Sequence, residues 1–106
     1  MTTFILLSKV SAEAVSQVSN LAEIDRLFDK ELAELLPEVK RVASYALLGA
    51  YDFMHIFEAP DATAAAKVAL LANRFGAGST QTLTAIPFSE FKRLAQDMSK
   101  IQIAKA

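Results

Sequence analysis

The chain has a single histidine, His55, and this side chain is the strongest candidate for catalysis or ligand binding. His55 lies in an apolar run, and its ordinary pKa of about 6.5 suits it to orient a ligand or to move a proton. The structural alternative, in which His55 packs at an interface with one hydrogen-bond partner, is an easier condition to meet than catalysis and is favoured. Because the chain has no cysteine and no second histidine, His55 would stand alone as a nitrogen ligand for a haem or a metal.

Two further polar side chains are candidates to assist His55. Tyr45, in the preceding apolar run, could donate a hydrogen bond to a ligand or place its hydroxyl at the edge of an interface. Lys9 ends the first apolar run, where its ammonium group could bind an anion or reach water. We therefore take His55 and Tyr45 as catalytic candidates and Lys9 as a ligand-binding candidate.

Tyr51 and Asp52 follow Gly49 at the junction of two apolar runs. As a functional pair they would supply a general acid and a carboxylate at the mouth of a pocket. As structural residues, Asp52 would accept hydrogen bonds from turn amides, Gly49 would adopt a conformation closed to other residues, and Tyr51 would anchor the turn. The residue types favour the structural role, and both residues remain ligand-binding candidates.

Hydrophobic patterning predicts four strands that position these residues. Each run is rich in β-branched, aromatic or aliphatic residues and is bounded by turn or helix signals. The second and third strands are joined so tightly that they should form an antiparallel hairpin. The predicted strands cover residues 3–10, 41–48, 51–59 and 79–86.

Helix signals separate these strands. A short helical segment opens at Ser11, and a longer helix begins at Asn20, where Glu23 completes a capping-box pattern. Apolar residues recur every three or four positions until Pro37 ends the helix. The charged residues between them, Asp25 and Asp29 included, are expected to lie in solvent.

The second half of the chain carries two more helix signals. Asp61 is a good N-cap for a helix rich in alanine, and Gly76 is a good C-terminal cap for it. Ser89 would cap a last helix, and residues 101–106 would be frayed or lie on a partner. The resulting order, β-α-β-β-α-β with a final helix, predicts an α+β ferredoxin-like fold whose first and third strands lie in the middle of a four-stranded antiparallel sheet.

Alternation along the strands divides the sheet into two predicted faces. An aliphatic set should lie under the helices: Phe4, Leu6, Met54, Ile56, Leu83 and Ala85. A mixed aromatic and polar set should form the opposite face: Ile5, Leu7, Lys9, Tyr45, Phe53, His55, Phe57, Thr80, Thr82 and Thr84. This second set resembles a pocket lining, so Phe53, Phe57 and Thr82 become ligand-binding candidates. A shift of one residue in the strand register would move each side chain of that strand to the other face of the sheet.

The sheet is apolar on both sides, which predicts that something covers its second face. Hydrophobic residues are 53% of the chain, and large side chains left in water would cost about 1.5–3 kcal/mol each. The same face of a second copy is the simplest cover, because two-fold homodimers are the commonest oligomers. The first helix or the chain end folded over that face is the alternative.

Composition limits the class of protein. The chain has 106 residues, so we expect one domain over residues 1–106. Its formal net charge is -1, so it lacks the excess of basic residues that nucleic-acid binding needs. The start lacks the basic region of a signal peptide, and the longest uncharged stretch is too short to span a bilayer. We expect a cytoplasmic protein without nucleic-acid or membrane partners, and the composition indicates no particular cofactor.

The segment from Leu48 to Asp61 carries a Gly-x-Tyr-Asp motif, formed by Gly49, Tyr51 and Asp52, and then an apolar strand that ends in Glu-Ala-Pro-Asp. Two other segments, 7–10 and 82–85, agree with the same pattern. The chain therefore resembles the GYD domain family over roughly residues 3–95. The resemblance implies a dimeric α+β barrel in which two ferredoxin-like sheets face each other. It implies no activity, because the family is largely uncharacterised. His55 is a departure, since the family's third strand is usually aliphatic.

Three hypotheses for function follow. The first is a homodimer that binds or converts a small hydrophobic or aromatic molecule in a pocket between the sheet and its partner copy. The second is a non-enzymatic interaction or regulatory module, in which the sheets pack without a cavity and the outer helices bind another protein. The third, by fold analogy alone, is a haem-dependent or cofactor-free monooxygenase.

Overall fold

The computed structural model describes residues 1–11 and 19–100. Its strands are β1 (Thr2–Val10), β2 (Lys40–Ala46), β3 (Phe53–Ala59) and β4 (Ala77–Ala85). Its helices are α1 (Leu21–Leu35), α2 (Ala62–Arg74) and α3 (Phe88–Ser99). The predicted helical segment that opens at Ser11 and the predicted frayed end over 101–106 lie outside the described residues.

The four strands form one antiparallel sheet in the order β2-β3-β1-β4. The first and third strands are therefore central, and β2 and β3 form the expected hairpin. The element order and the sheet order together confirm the predicted ferredoxin-like α+β fold. Strand ends differ from the predicted ones by up to two residues, because apolar composition alone does not locate the last ladder hydrogen bond.

Local capping chemistry sets the bounds of α2. The Asp61 side chain accepts a hydrogen bond from the Ala64 amide at 2.9 Å, so the predicted N-cap is confirmed. At the other end Gly76 has a φ of 102°, a left-handed conformation that glycine adopts without a Cβ penalty. This glycine reverses the chain between α2 and β4.

Two other predicted caps are not formed. Asn20 holds the N-cap position of α1, but its side chain makes no capping hydrogen bond, and Glu23 pairs with Arg26 instead, at 2.6 Å. Pro87, not Ser89, holds the N-cap position of α3, because the helix already begins at Phe88. The end of α1 at Leu35 agrees with the stop predicted from Pro37.

The core lies between one face of the sheet and helices α1 and α2. Phe4 and Phe57 stack there with ring centroids 5.7 Å apart, and Leu6 is fully buried beside them. The helices contribute Phe28, Leu32, Ala64, Ala65, Val68, Leu71 and Ala72. The alanines of α2 let that helix lie close to the sheet.

The register corrects the predicted division of the sheet. Phe4 lies opposite Phe57, and Leu6 lies opposite both His55 and Thr82. Residues directly opposite each other in antiparallel strands point to the same side. The predicted faces of β3 and β4 were therefore wrong, because the register in both strands is shifted by one residue from the predicted one. Phe53, His55, Phe57, Thr80, Thr82 and Thr84 lie on the helix side, whereas Met54, Ile56, Leu83 and Ala85 lie on the other.

We call the side of the sheet away from α1 and α2 the open face. Lys9 and Tyr45 remain on it, as expected. Its centre is apolar, because direct pairing brings these residues together: Ile5, Leu7, Met54, Ile56 and Leu83.

The last helix stands apart from the rest of the described chain. Helix α3 buries no residue and makes at most marginal contact with the other described elements. The exposed fractions of Phe88, Phe91, Leu94 and Met98 are 71%, 52%, 43% and 64%. They recur at helical spacing, and we call them the α3 stripe. None of the described helices combines the length and the apolar character needed to cross a lipid bilayer.

Candidate functional site

A cavity of about 480 Å³ opens on the helix side of the sheet, within the usual size range of small-molecule sites. It lies between the start of α1, the end of α2 and the middle of the hairpin formed by β2 and β3. Its lining is mostly apolar and aromatic, and its polar residues include His55, Arg41, Asp25 and Ser44.

The His55 ring lies beside two phenylalanine rings in the wall of this cavity. Its ring lies nearly parallel to Phe28 from α1 and to Phe53 from its own strand, with both centroid distances at 6.5 Å. Phe75, just after α2, meets Phe28 edge-on at 5.7 Å. Four aromatic rings from three parts of the fold therefore form one wall, and that wall fixes the plane of the imidazole.

Arg41 organises the polar part of the wall. Its guanidinium donates to Asp29 at 2.6 Å and to Asp25 at 2.9 Å, so two carboxylates of α1 hold one cation of β2. Its Cζ atom also lies 5.8 Å from the centre of the Phe28 ring. The Arg41 side chain is only 19% exposed, whereas the side chains of Asp25 and Asp29 are about half exposed.

The same guanidinium decides where the proton of His55 lies. Arg41 Nη2 is 3.2 Å from His55 Nδ1, and Ser44 Oγ is 2.7 Å from it. A guanidinium can only donate, so Nδ1 must accept. Ser44 Oγ accepts a hydrogen bond from Arg41 Nε at 2.9 Å, and its hydroxyl can donate a hydrogen bond to His55 Nδ1. The neutral ring therefore carries its proton on Nε2.

The surroundings of His55 also keep its ring neutral. Burial lowers the pKa of His55, and the positive charge of Arg41 lowers it further. The carboxylates of Asp25 and Asp29 act in the opposite direction but do not reverse the shift. A protonated ring would also place a second donor against the guanidinium.

The Nε2 atom is left for an occupant of the cavity. It has no hydrogen-bond partner among residues 1–11 and 19–100. No fully buried side-chain nitrogen or oxygen in that part of the chain lacks a partner. Nε2 therefore keeps contact with the open space that the ring lines.

The other ligand-binding candidates divide between this cavity and other places. Lys9, Tyr45 and Phe53 line the cavity together with His55. Both Lys9 and Tyr45 are exposed, and their strand positions place their side chains on the open face. Phe57 is 2% exposed and belongs to the core, so it meets no solvent-filled space. Thr82 lines a separate groove between α2 and β4.

The Tyr51–Asp52 pair forms hydrogen bonds within the described chain. Asp52 Oδ2 accepts a hydrogen bond from the Val10 amide at 2.8 Å, and its own amide donates to the Ser8 carbonyl at 2.8 Å. The hydroxyl of Tyr51 donates to Gln81 at 2.6 Å. These bonds tie the hairpin loop to β1 and β4. Asp52 was expected to accept from amides of the turn, but it accepts from an amide of β1 instead.

Gly49 takes the unusual conformation that the sequence suggested for this loop. Its φ is 141°, where a side chain would be strained. No other atom lies within 4 Å of where its Cβ would be, so backbone conformation alone favours glycine here.

Sequence reasoning missed Arg41, Asp25 and Asp29 as members of the site. Asp25 and Asp29 were expected in solvent, and their side chains are indeed about half exposed, but both are paired with Arg41. Their four-residue spacing put them on one side of the helix. No signal in the sequence said that this side would face the start of β2.

The family comparison agrees with this loop and strand arrangement. The GYD domain model matches residues 4–95. The chain belongs to the GYD domain family. The match includes the hairpin loop, the histidine strand and most of α3, and it confirms the resemblance drawn from Gly49, Tyr51 and Asp52.

One sequence relative and one solved structure are similar to this GYD domain. A protein of Thermus thermophilus, called glutamine synthetase and cystathionine beta-lyase binding protein, is 36% identical over 95 residues. The alignment covers 85% of this chain and 94% of that protein. The crystal structure of MtbAldR superimposes with a TM-score of 0.56 at 16% identity over 80% of this chain, which supports the fold alone. This chain spans about half of that protein, 51% of its length.

Proposed function

We propose that this GYD domain is a homodimeric binding protein that docks on other enzymes, with glutamine synthetase and cystathionine beta-lyase as the first candidates. The observation that carries this proposal is the relative at 36% identity, whose name states that it binds those two enzymes. The alignment covers 94% of that protein. The proposal corresponds to the interaction module among our sequence hypotheses.

The α3 stripe is the surface that we assign to the enzyme partner. It presents two phenylalanines, a leucine and a methionine on a helix that stands apart from the described core. Aromatic residues and methionine are enriched at protein interfaces, and an amphipathic helix laid into a groove is a common mode of recognition. The polar side of α3 would stay in water in such a complex.

The open face is the surface that we assign to a second copy. Ile5 lies between Ile56 and Leu83, so an apolar row crosses three strands. Helices α1 and α2 pack on the other side of the sheet and cannot cover this row. A second copy would cover it by symmetry.

The small-molecule hypothesis needs a different location in this account. Its aromatic lining was expected between the two sheets, but Phe53 and His55 lie on the helix side. A ligand of the cavity beside His55 is therefore a separate matter from the dimer. A cytoplasmic location, where both candidate enzymes would be met, belongs to the same proposal.

The test is a direct binding measurement with purified proteins. The full chain is immobilised, and glutamine synthetase or cystathionine beta-lyase from the same organism is passed over it. Phe91→Glu places a charge in the α3 stripe, and Gln96→Glu adds the same charge on the polar side of the same helix as the matched control.

We expect wild type and Gln96→Glu to bind at least one enzyme equally well. Phe91→Glu should bind at least about tenfold more weakly, since a buried aromatic residue at the centre of an interface often contributes that much. Absence of binding by the wild-type protein to both enzymes would contradict the proposed function. Equal binding by the two variants would contradict the role of the α3 stripe.

A further inference from the structure

The cavity beside His55 lies apart from both surfaces proposed above. It opens between α1, α2 and the hairpin, whereas the open face is on the other side of the sheet and α3 stands apart from the core. A cavity of about 480 Å³ with a mainly apolar wall could hold a molecule of a few fused rings.

The shape of the wall favours a planar occupant. Phe28 and Phe53 lie nearly parallel to the His55 ring, with interplanar angles of 23° and 21°. Phe75 adds an edge at right angles to Phe28. Flat aromatic molecules stack on such rings or meet their edges in the arrangements that aromatic side chains themselves prefer.

The charged groups beside His55 favour an uncharged occupant there. Lys9 also lines the cavity, but its strand position directs its side chain to the open face. The Arg41 guanidinium is already paired with Asp25 and Asp29, so it is not a free cation for an anionic ligand. These two carboxylates are likewise already engaged by Arg41. Burial of a ligand charge without a new partner would be costly.

In the cluster of Arg41, Ser44 and His55, the Nε2–H of His55 is a donor that has no partner within residues 1–11 and 19–100. Nδ1 accepts from Arg41, and the ring is neutral, so Nε2 can donate but cannot accept. A ligand oxygen with a lone pair is the complement of this group.

We propose that the cavity binds a small, planar, uncharged aromatic molecule whose oxygen acceptor receives a hydrogen bond from His55 Nε2. His55 is then a ligand-orienting residue and not a general base, because the lone pair that a base needs faces Arg41. This inference is independent of the docking function, since it concerns a different part of the molecule.

The test uses two probes of nearly the same shape. 1-Indanone has a fused aromatic ring and a carbonyl oxygen, and indane has a methylene group in place of the carbonyl. The chain has one histidine, so the ring nitrogens of a 15N-histidine-labelled sample give signals that need no further assignment. Their chemical shifts report which nitrogen carries the proton and whether a probe reaches the ring.

At neutral pH we expect the free protein to hold its ring proton on Nε2. Addition of 1-indanone should shift the Nε2 signal to saturation, and indane should bind about tenfold more weakly, the usual effect of one lost hydrogen bond. His55→Phe keeps a ring in the stack but removes the donor. This variant should bind both probes with equal affinity.

Three results would overturn the proposal. They are a ring proton on Nδ1 or a charged ring in the free protein, the absence of a saturable shift with either probe, and equal affinities of the wild-type protein for the two probes. If His55→Phe does not fold, the wild-type spectra and the two-probe comparison still decide the matter. Loss of enzyme docking in the experiment above would leave this inference untouched.

Discussion

At the scale of single residues, His55 is in contact with a guanidinium, a hydroxyl and two phenylalanine rings. Arg41 donates a hydrogen bond to Nδ1, so the lone pair of Nδ1 cannot accept a proton from a ligand. The phenylalanine rings cover part of the imidazole. From sequence alone, His55 was a candidate to carry a proton. Beside Arg41 and Ser44 it is a neutral ring that donates a hydrogen bond. The difference comes from neighbours that are distant in sequence.

We expect acid to destabilise the wild-type protein more than a His55→Phe variant. The pKa of His55 is lowered in the folded state by burial and then by Arg41, so the unfolded chain takes up the proton first. The neutral ring therefore stabilises the fold fully above about pH 6.5, and this stabilisation is lost as the pH falls below that value.

Urea unfolding at fixed protein concentration, at about pH 7.5 and about pH 5, measures this difference. Carboxylates titrate in both proteins, so the variant serves as the control for them. The same pH dependence in wild type and His55→Phe would show that the folded ring titrates like a free one and would contradict the prediction.

Asp52 has a structural prediction of its own. Asp52→Ala removes the acceptor for the Val10 amide and should lower the free energy of unfolding by about 1–3 kcal/mol, since hydrogen bonds to charged groups are the stronger ones. Asp52→Asn keeps a carbonyl oxygen in place and should lose less. Urea unfolding of both variants compares them, and equal losses would mean that the hydrogen bond to Val10 is not what Asp52 contributes.

At the scale of elements, sequence patterning found every described strand and helix but could not choose the faces of β3. In that strand Phe53 and Phe57 alternate with Met54 and Ile56, so both sides are apolar and alternation carries no information. The pairing of Phe4 with Phe57 settles the question, and pairing is a property of two strands together. Strand β3 was therefore assigned to the wrong face, and β4 was as well.

The candidate site was predictable only in part for a related reason. His55 and Phe53 were recognised by residue type, as were Tyr45 and Lys9, which also line the cavity. Arg41 was not, because its role depends on the way α1 crosses the start of β2. Turn and cap residues act on their immediate neighbours in sequence, and Asp61, Gly76 and Gly49 behave as local rules predict. The predicted caps at Asn20 and Ser89 did not form.

Helix α2 supplies an element-scale test of such a local rule. Asp61→Ala removes the side-chain acceptor of the Ala64 amide and should destabilise the protein by about 1 kcal/mol. Asp61→Asn keeps an N-cap oxygen and should be close to wild type. Thermal unfolding of the three proteins measures the effect, and a wild-type midpoint for Asp61→Ala would contradict it.

At the scale of the whole molecule, the described chain buries one side of its sheet and leaves two apolar surfaces without cover. The open face centres on Ile5, and the α3 stripe lies on a helix that buries no residue. The chain measures 60 Å in its longest dimension, and a helix that stands apart from the core contributes to this length. Two surfaces of this kind, separated in space, are what a protein needs if it is to pair with itself and still bind a different partner.

The central claim is that these two surfaces have separate roles, and native mass spectrometry tests it most directly. We expect the wild-type protein and Phe91→Glu to be dimers, with twice the mass of the chain, because α3 is not assigned to the dimer. Ile5→Asp places a charge at the centre of the open face and should give a folded monomer. A monomeric wild-type protein, or a Phe91→Glu variant that is monomeric while Ile5→Asp is a dimer, would contradict the account.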